Sequence, residues 1–328
     1  MGRRLEVAIA AGAAAYVGGS WLLAKSVTRR LISSEALIPA SSRRADLLAA
    51  LSASGARVFD FRSKGAAADP VDVAAILATP AEPSRRGTIV FLHGKGGNAA
   101  EWTPDALRAI AQGYNALLPD LRAHRPSGGE FVTYGYLESE DLAHTVADAA
   151  AFGLDPRRLA LHSCSAGSWI ALRFAAADSG VRGLWLESPF ADARQMARHY
   201  LSLTTGLPSW ALGLTTFFAV ESAIGTIRRS LHLPADAPGL EMDSLSVAAR
   251  VRAPVYLVYG ERDALVPPAF TRRLAAAFAP GTQVWNPQGA GHCHHDDEAE
   301  RVAAAEYDAR WTKFFDSVFG GRSAPSGS

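Results

Sequence analysis

The sequence predicts an α/β protein with a mostly parallel, eight-stranded sheet and helices on both faces of that sheet. Short apolar segments typical of buried strands alternate with segments typical of helices, which is the pattern of repeated strand–helix–strand units. The strand predicted at residues 158–162 also runs into a stretch of small residues, 163–167, and then into a helix. A strand, a sharp turn and a helix together form the context in which a serine hydroxyl can be presented as a nucleophile.

The predicted elements follow one another in a regular order. Strands are predicted at residues 57–61, 71–77, 87–93, 115–118, 158–162, 181–186, 255–259 and 282–285. Helices are predicted at residues 45–51, 102–112, 136–152, 168–175, 268–278 and 299–319. In the helix at 136–152, Leu142, Val146 and Ala150 recur four residues apart on one face, as expected for an amphipathic helix.

The chain is long enough for a sizeable core, since it has 328 residues of which 48% are hydrophobic. We assign residues 31–190 and 251–319 to this core. Residues 191–250 interrupt the alternation after the sixth strand and are interpreted as a helical cap inserted there. Residues 320–328 are rich in Gly, Ser and Pro and are interpreted as a disordered tail.

The N-terminal segment carries a targeting signal. Residues 7–24 are 18 residues without a charge, flanked by Arg3-Arg4 and Lys25. This is close to the ~20 residues with which a helix spans a bilayer, and Tyr16 and Trp21 suit a membrane interface. We therefore predict that residues 1–30 form a single-pass membrane anchor. A cleaved signal peptide of a secreted protein and a helix of a cytoplasmic protein remain alternatives, and arginines at both ends leave the orientation open.

Three chemically active residue types follow three of the predicted strands. Ser165 follows the fifth strand, Asp263 the seventh and His292 the eighth. In parallel sheets, ligands gather at the carboxyl ends of the strands, where these side chains should meet. The chain order serine, acid, histidine is the one expected for α/β-hydrolases.

Residues 58–319 resemble α/β-hydrolase-fold serine hydrolases and are most similar to Bem46-like membrane-anchored α/β-hydrolase-domain proteins. The resemblance rests on a series of motifs in the expected order: His93-Gly94, Asp120-Leu121-Arg122-Ala123-His124 with Ser127-Gly128, Ser165-Ala166-Gly167, Glu187-Ser188-Pro189-Phe190, Gly260–Asp263 and Gly291-His292. The chain departs from the family pattern where relatives have glycine, at Ser163, Ala123 and Arg125.

The resemblance implies a role for each site residue. Ser165 is the nucleophile, His292 accepts its proton, and Asp263 fixes the imidazole tautomer. The backbone N–H groups of Ala166 and Lys95 form the oxyanion hole. The side chain of Lys95 is not needed for that role.

Rival residues exist for two of these roles. Cys164 is a rival nucleophile, but only the frame of Ser165 retains a glycine, Gly167, two residues further on. Glu187 and Asp192 are rival acids, since some relatives take the acid from the segment after the sixth strand. The local context favours Asp263.

The segment from His292 to Asp297 imitates a two-metal motif, but no histidine follows His295 to complete a ligand set. We therefore expect no metal and no cofactor, and structural roles for His124 and His162. The two cysteines, Cys164 and Cys293, cannot form a disulfide scaffold. If the triad assembles they approach each other, but we expect free thiols because a disulfide there should strain the site.

The predicted cap carries an apolar stripe that includes Trp210, Phe217 and Phe218, which we expect to contact substrate. The substrate is then a small-molecule ester with an apolar acyl group, or a lipid-like ester. A thioesterase, an aminopeptidase-like amidase and a non-catalytic membrane-tethered binding protein are the alternatives. The net charge of +1 gives no indication of a nucleic-acid partner, and the oligomeric state stays open.

Overall fold

The computed structural model describes residues 2–33, 40–82, 87–177, 180–234, 243–293 and 299–320. The tail predicted at 320–328 lies outside these ranges, except for Gly320. The strands, in chain order, are β1 (Arg57–Lys64), β2 (Asp72–Thr79), β3 (Thr88–Leu92), β4 (Asn115–Pro119), β5 (Leu159–Cys164), β6 (Val181–Glu187), β7 (Val255–Val258) and β8 (Gln283–Trp285).

The strands form one eight-stranded sheet in the order β1-β2-β4-β3-β5-β6-β7-β8. β2 runs antiparallel to both of its neighbours, and all other neighbouring pairs are parallel. The prediction of a mostly parallel sheet is therefore confirmed. The central strands β3, β4 and β5 are buried along their whole length, because helices cover both faces.

The helices are α1 (Gly2–Ile32), α2 (Ala40–Ala53), α3 (Thr103–Ala111), α4 (Glu138–Ala149), α5 (Ala166–Ala177), α6 (Ala193–Thr205), α7 (Gly213–Ser230), α8 (Ser244–Ala248), α9 (Pro268–Ala275) and α10 (Ala299–Phe319). Helices α4, α5, α8 and α9 pack their apolar residues on one face of the sheet. Helices α2, α3 and α10 cover the other face. The predicted helices on both faces are thus present.

The start of α4 differs from the prediction by two residues. The Glu138 carboxylate accepts hydrogen bonds from the backbone N–H groups of Thr133 and Gly135, at 2.6 and 2.8 Å. This closes a turn in which Tyr134 and Gly135 have positive φ angles of 50° and 90°. The helix therefore begins at Glu138, after the turn, and not at residue 136.

Helices α6, α7 and α8 lie between β6 and β7, where the cap was predicted. Helix α1 packs along α7 through a small apolar cluster that contains Ala24, Val27, Leu212 and Ala219. Tyr16 adds a hydrogen bond from its hydroxyl to the carbonyl oxygen of Ala211, at 3.0 Å. The C-terminal half of α1 is therefore packed against α7 and the residues just before it.

The carboxyl end of α1 is bonded into the core. The carbonyl oxygen of Leu31 accepts from the Tyr134 hydroxyl at 2.7 Å, and that of Ile32 accepts from the Val132 N–H at 2.8 Å. Two helices, Glu6–Ile32 and Ser209–Ser230, are long and apolar enough to cross a membrane by length and composition. A larger share of the second is buried within the protein.

Candidate active site

Ser165 lies at a sharp turn between β5 and α5, with a positive φ of 51°. Because Gly167 has no side chain, the turn can pack directly against the end of β3. A Cβ atom at this position would lie 2.4 Å from the Leu92 carbonyl oxygen and 2.6 Å from that of His93. The backbone N–H of Ser165 donates to the Glu187 carbonyl oxygen on β6, at 2.8 Å. The strained serine, the glycine and the strand–helix context match a nucleophile elbow.

Ser163 occupies the position where relatives have glycine. Its side chain is fully buried, and its hydroxyl donates to the hydroxyl of Ser168 at 3.2 Å. The extra hydroxyl is thus accommodated inside the turn by a second serine.

The structure brings Asp263 and His292 into hydrogen-bond contact. His292 Nδ1 lies 2.9 Å from Asp263 Oδ2. The other carboxylate oxygen, Oδ1, accepts from the N–H groups of Leu265 and Val266 at 3.0 and 2.7 Å. These bonds fix the carboxylate, so that Nδ1 of the imidazole is the donor and Nε2 is left to accept.

The expectation of free thiols is wrong, because Cys164 and Cys293 form a disulfide. The carboxyl end of β5 and the loop after β8 meet at the same edge of the sheet, which brings the two Cα atoms to 6.0 Å. That separation lies within the range that disulfides span. A ring nitrogen of His292 is within 4.8 Å of the Cys164 sulfur, which places the imidazole beside the elbow.

The two rival acids are engaged elsewhere. Glu187 is buried, and its Oε1 accepts from Trp185 Nε1 at 2.8 Å and contacts His162 Nε2 at 2.9 Å. Asp192 lies at the start of α6, where its Oδ1 accepts from the Gln195 N–H at 2.9 Å. Glu187 is thus part of a buried network under the elbow, and Asp192 is a helix cap.

The loop with Lys95 lies next to the elbow. A Cβ atom on Gly94 would lie 3.4 Å from the Cβ atom of Ser165, so the loop after β3 is in van der Waals contact with the turn after β5. The Lys95 side chain points away to the carboxyl end of α1 and donates to the carbonyl oxygen of Arg30. The side chain of Lys95 is thus directed at α1, while the neighbouring residue Gly94 is the part of the loop that contacts Ser165.

Two buried histidines hold this loop. His124 Nε2 accepts from the Gly96 N–H at 3.0 Å, and His93 Nε2 accepts from the Leu121 N–H at 3.0 Å. Burial lowers the pKa of His124 to about 4, which keeps Nε2 free to accept. Ala123, where relatives have glycine, has a positive φ of 61°. His124 is a supporting residue whose partner the sequence did not reveal.

The chain matches a family model and one curated relative. The model of a family described as "Alpha/beta hydrolase family" matches residues 89–305, which is more than half of the chain. The chain belongs to the alpha/beta hydrolase family. The chain is 27% identical over 190 residues to an uncharacterized protein, YqkD, of Bacillus subtilis (strain 168). The match covers 57% of the chain, and the chain spans 58% of the length of that relative.

Solved structures share the fold of this chain. An esterase of Pyrococcus furiosus superposes with a TM-score of 0.63 at 21% identity, over 82% of this chain and 94% of that one. A membrane phospholipase A superposes with a TM-score of 0.59 at 18% identity, over 98% of both chains. A puromycin-hydrolyzing peptidase of Mycobacterium tuberculosis gives 0.59 at 19% identity, over 84% of this chain and 41% of that one.

The three residues of the predicted cap that were expected to contact substrate have different surroundings in the structure. Trp210 is 82% exposed and Phe217 is 51% exposed. Phe218 packs against the apolar cluster between the cap and α1. The structure thus places two of them at the outer surface of the cap.

A second apolar cluster lies between the predicted cap and the rest of the protein. It combines residues from the end of α1, the loop before α4, the first turns of α5, the segment after β6, α7 and the loop after Asp263: Ile32, Phe131, Trp169, Phe190, Val220, Ile224 and Val266. Trp169 lies one turn after Ser165, and Val266 lies three residues after Asp263. The position of Trp169 near the site could be found from sequence, because it lies one helical turn after Ser165. The presence of Ile32 in the cluster could not, because it depends on how α1 packs against the rest of the protein.

Cys164, His292 and Cys293 are the group of possible metal ligands found together among the described residues. The sulfur atoms of the two cysteines are bonded to each other and are not free to bind an ion. His294, His295 and Asp296 of the motif-like segment lie outside the described residues.

Proposed function

We propose that this protein is a serine hydrolase that cleaves carboxylic esters with an apolar acyl group through an acyl-enzyme on Ser165. The observation that carries this proposal is the 2.9 Å hydrogen bond between Asp263 and His292 at the sheet edge where the Ser165 elbow lies. Membership of the family supports hydrolase activity.

The proposed reaction begins at the serine. His292, with Nδ1–H donated to Asp263, takes the Ser165 proton at Nε2 as the hydroxyl attacks the acyl carbon. Asp263 stabilises the imidazolium that forms. The alcohol then leaves with the proton from His292, and water attacks the acyl-enzyme with His292 again acting as the base.

The proposed oxyanion hole is made of backbone. Ala166 is the first residue of α5, so that its N–H points out of the helix amino terminus and the helix dipole favours negative charge there. Lys95 supplies the second N–H from the loop that His124 and His93 hold. One such donor is worth on the order of 10²–10³ in rate.

The apolar cluster around Trp169 and Val266 supports an apolar acyl group, because it lies next to the turn of Ser165 and the loop of Asp263. Neighbours named as esterases and a phospholipase support the choice of an ester. The neighbour named as a puromycin-hydrolyzing peptidase keeps an amidase as the second candidate function.

We also propose that α1 anchors the hydrolase in a membrane. The Lys25 ammonium lies 3.8 Å from the centre of the Trp21 ring, a pair of residue types that suits the lipid headgroup level. Tyr16, whose hydroxyl donates to the Ala211 carbonyl oxygen, lies about 7.5 Å from Trp21 along the helix axis, on its amino-terminal side. If Trp21 marks the interface, the exposed Trp210 at the same level as Tyr16 enters the bilayer.

A panel of substrates tests the ester assignment. Carboxylic esters, thioesters and aminoacyl amides with matched acyl chains of graded length are compared by kcat/KM on the full chain in detergent micelles. The proposal expects the highest values for esters, rising with chain length. A preference for the aminoacyl amide at every chain length contradicts it.

A further inference from the structure

The disulfide joins the two loops that carry the reacting groups. Cys164 directly precedes Ser165, and Cys293 directly follows His292. The two cysteines are 129 residues apart in the chain, and both are buried, with 3% and 5% of their surface exposed. We propose that this disulfide is a positioning device: it holds His292 at Ser165 for the reaction, and its reduction lowers kcat. This inference rests on the proposed function.

The elbow side of the bond is fixed by the sheet. Cys164 is the last residue of β5 and lies opposite Glu187 of β6 in a parallel pair. The next residue, Ser165, donates its N–H to the same Glu187 at 2.8 Å. Reduction therefore leaves the serine in place, because the strand and its hydrogen bonds hold it.

The histidine side depends on fewer contacts. β8 is a three-residue strand at the edge of the sheet, and residues 286–293 after it form no helix or strand. The Arg262 N–H donates to the Ala290 carbonyl oxygen at 2.9 Å, and the Cys293 N–H donates to the Ser188 hydroxyl at 3.1 Å. These bonds tie the loop to the acid loop and to the residue after β6. The disulfide ties it to the elbow itself.

The acid does not replace the disulfide. Asp263 orients the imidazole through Nδ1, but it is carried by the loop after β7, next to the loop that carries His292. The two loops can therefore shift together relative to Ser165. Since a misplacement of 1 Å costs about 10² in rate, release of the covalent link should lower kcat by roughly 10- to 100-fold.

The redox step is a thiol–disulfide exchange. A dithiol such as dithiothreitol supplies two electrons and two protons, the S–S bond breaks into two thiols, and the dithiol closes into its cyclic disulfide. Because the cytosol keeps protein thiols reduced, the activity depends on the redox state of the compartment in which the catalytic part lies.

The experiment compares three forms of the protein: oxidised wild type, reduced wild type and the double variant Cys164→Ala/Cys293→Ala. Thiol titration establishes the redox state, and circular dichroism establishes that each form is folded at the assay temperature. A chelator is present throughout, because two reduced thiols beside His292 offer ligands to a zinc ion. The readouts are kcat and KM for an ester substrate.

The proposal expects kcat to fall roughly 10- to 100-fold on reduction with little change in KM, and to recover on reoxidation. The double variant should have the same kcat as the reduced wild type, and the reductant should not change it. A disulfide that only stabilises the fold would lower the melting temperature and leave kcat at low temperature unchanged, which overturns the inference while the proposed function stands. An oxidised wild type without hydrolase activity overturns the proposed function, and the inference with it.

Discussion

The Nε2 atom of His124 accepts a hydrogen bond from the backbone N–H of Gly96, the residue after Lys95, at 3.0 Å. The other ring nitrogen, Nδ1, contacts the Arg122 carbonyl oxygen at 2.9 Å, so the neutral imidazole uses one nitrogen as donor and the other as acceptor. Protonation would turn the acceptor into a donor that faces an N–H. The loop proposed to supply an oxyanion donor therefore depends on a neutral histidine.

This relationship predicts a pH dependence of stability. The folded-state pKa of His124 is lowered to about 4 from its ordinary value of 6.5, mainly by burial. The unfolded chain therefore binds the proton first, and stability is lost as the pH falls from 6.5 towards 4. The loss amounts to about 3 kcal/mol, at 1.36 kcal/mol per pKa unit.

The measurement is the free energy of unfolding of wild type and His124→Gln between pH 7 and pH 4. Glutamine can accept from Gly96 but does not titrate in this range. The free energy of unfolding of the wild type, relative to that of His124→Gln, should fall by about 3 kcal/mol between pH 7 and pH 4. Asp120, whose pKa burial raises to about 6, is present in both proteins and cancels. A difference that stays constant with pH contradicts the role of His124.

The contact of Gly167 with β3 predicts that Gly167→Ala destabilises the fold. The added methyl group would overlap the carbonyl oxygens of Leu92 and His93, which belong to the sheet and its end and cannot move freely. We expect a loss of about 2–3 kcal/mol in the free energy of unfolding.

The matched control for this variant is Gly213→Ala. Gly213 has helical φ and ψ angles of −55° and −54°, and a Cβ atom there meets nothing within 4 Å. The free energy of unfolding of this variant should not fall and should rise by about 0.4–1 kcal/mol, because alanine loses less entropy than glycine on entering a helix. Equal effects of the two substitutions would show that the elbow is not packed as described.

The choice of acid predicts different results for two aspartates. Asp263→Asn should lower kcat by about 10⁴, because the amide no longer holds the imidazole in the required tautomer. Asp192→Asn should leave kcat unchanged, since asparagine is an equally good helix cap. Steady-state kinetics on one ester substrate measures both. A large loss with Asp192→Asn and a small one with Asp263→Asn would reverse the assignment.

The strands were predictable from sequence because buried parallel strands form apolar runs, as β3 and β7 do. The reversal of β2 between two antiparallel neighbours was not, since pairing direction depends on tertiary contacts. Ser165, Asp263 and His292 could be selected because each follows a strand. The Cys164–Cys293 bond could not, because it depends on how closely two loop ends meet across 129 residues of chain.

The cap illustrates the same limit. The helical spacing of Trp210, Phe217 and Phe218 predicted an apolar stripe, but not what each residue contacts. Helix α1 packs against α7 and covers Phe218, while Trp210 and Phe217 stay exposed. Packing between distant segments decided this outcome.

The proposed membrane contact predicts a selective loss of activity in Trp210→Ser/Phe217→Ser. Activity towards a lipid ester in vesicles should fall by roughly tenfold, because removing two aromatic side chains from contact with the bilayer costs more than about 1.4 kcal/mol of membrane binding. Activity towards a soluble short-chain ester should not change. Val284→Ser, an exposed apolar position on β8, is the matched control and should change neither activity. Equal loss on both substrates contradicts bilayer contact.

Labelling with a fluorophosphonate probe tests the central assignment, the nucleophilic role of Ser165. The probe reacts with activated serines, and the full chain is compared as wild type, Ser165→Ala and Ser163→Ala. The account predicts labelled wild type and Ser163→Ala, and unlabelled Ser165→Ala. Equal labelling of wild type and Ser165→Ala, or a wild type that does not react, would contradict it.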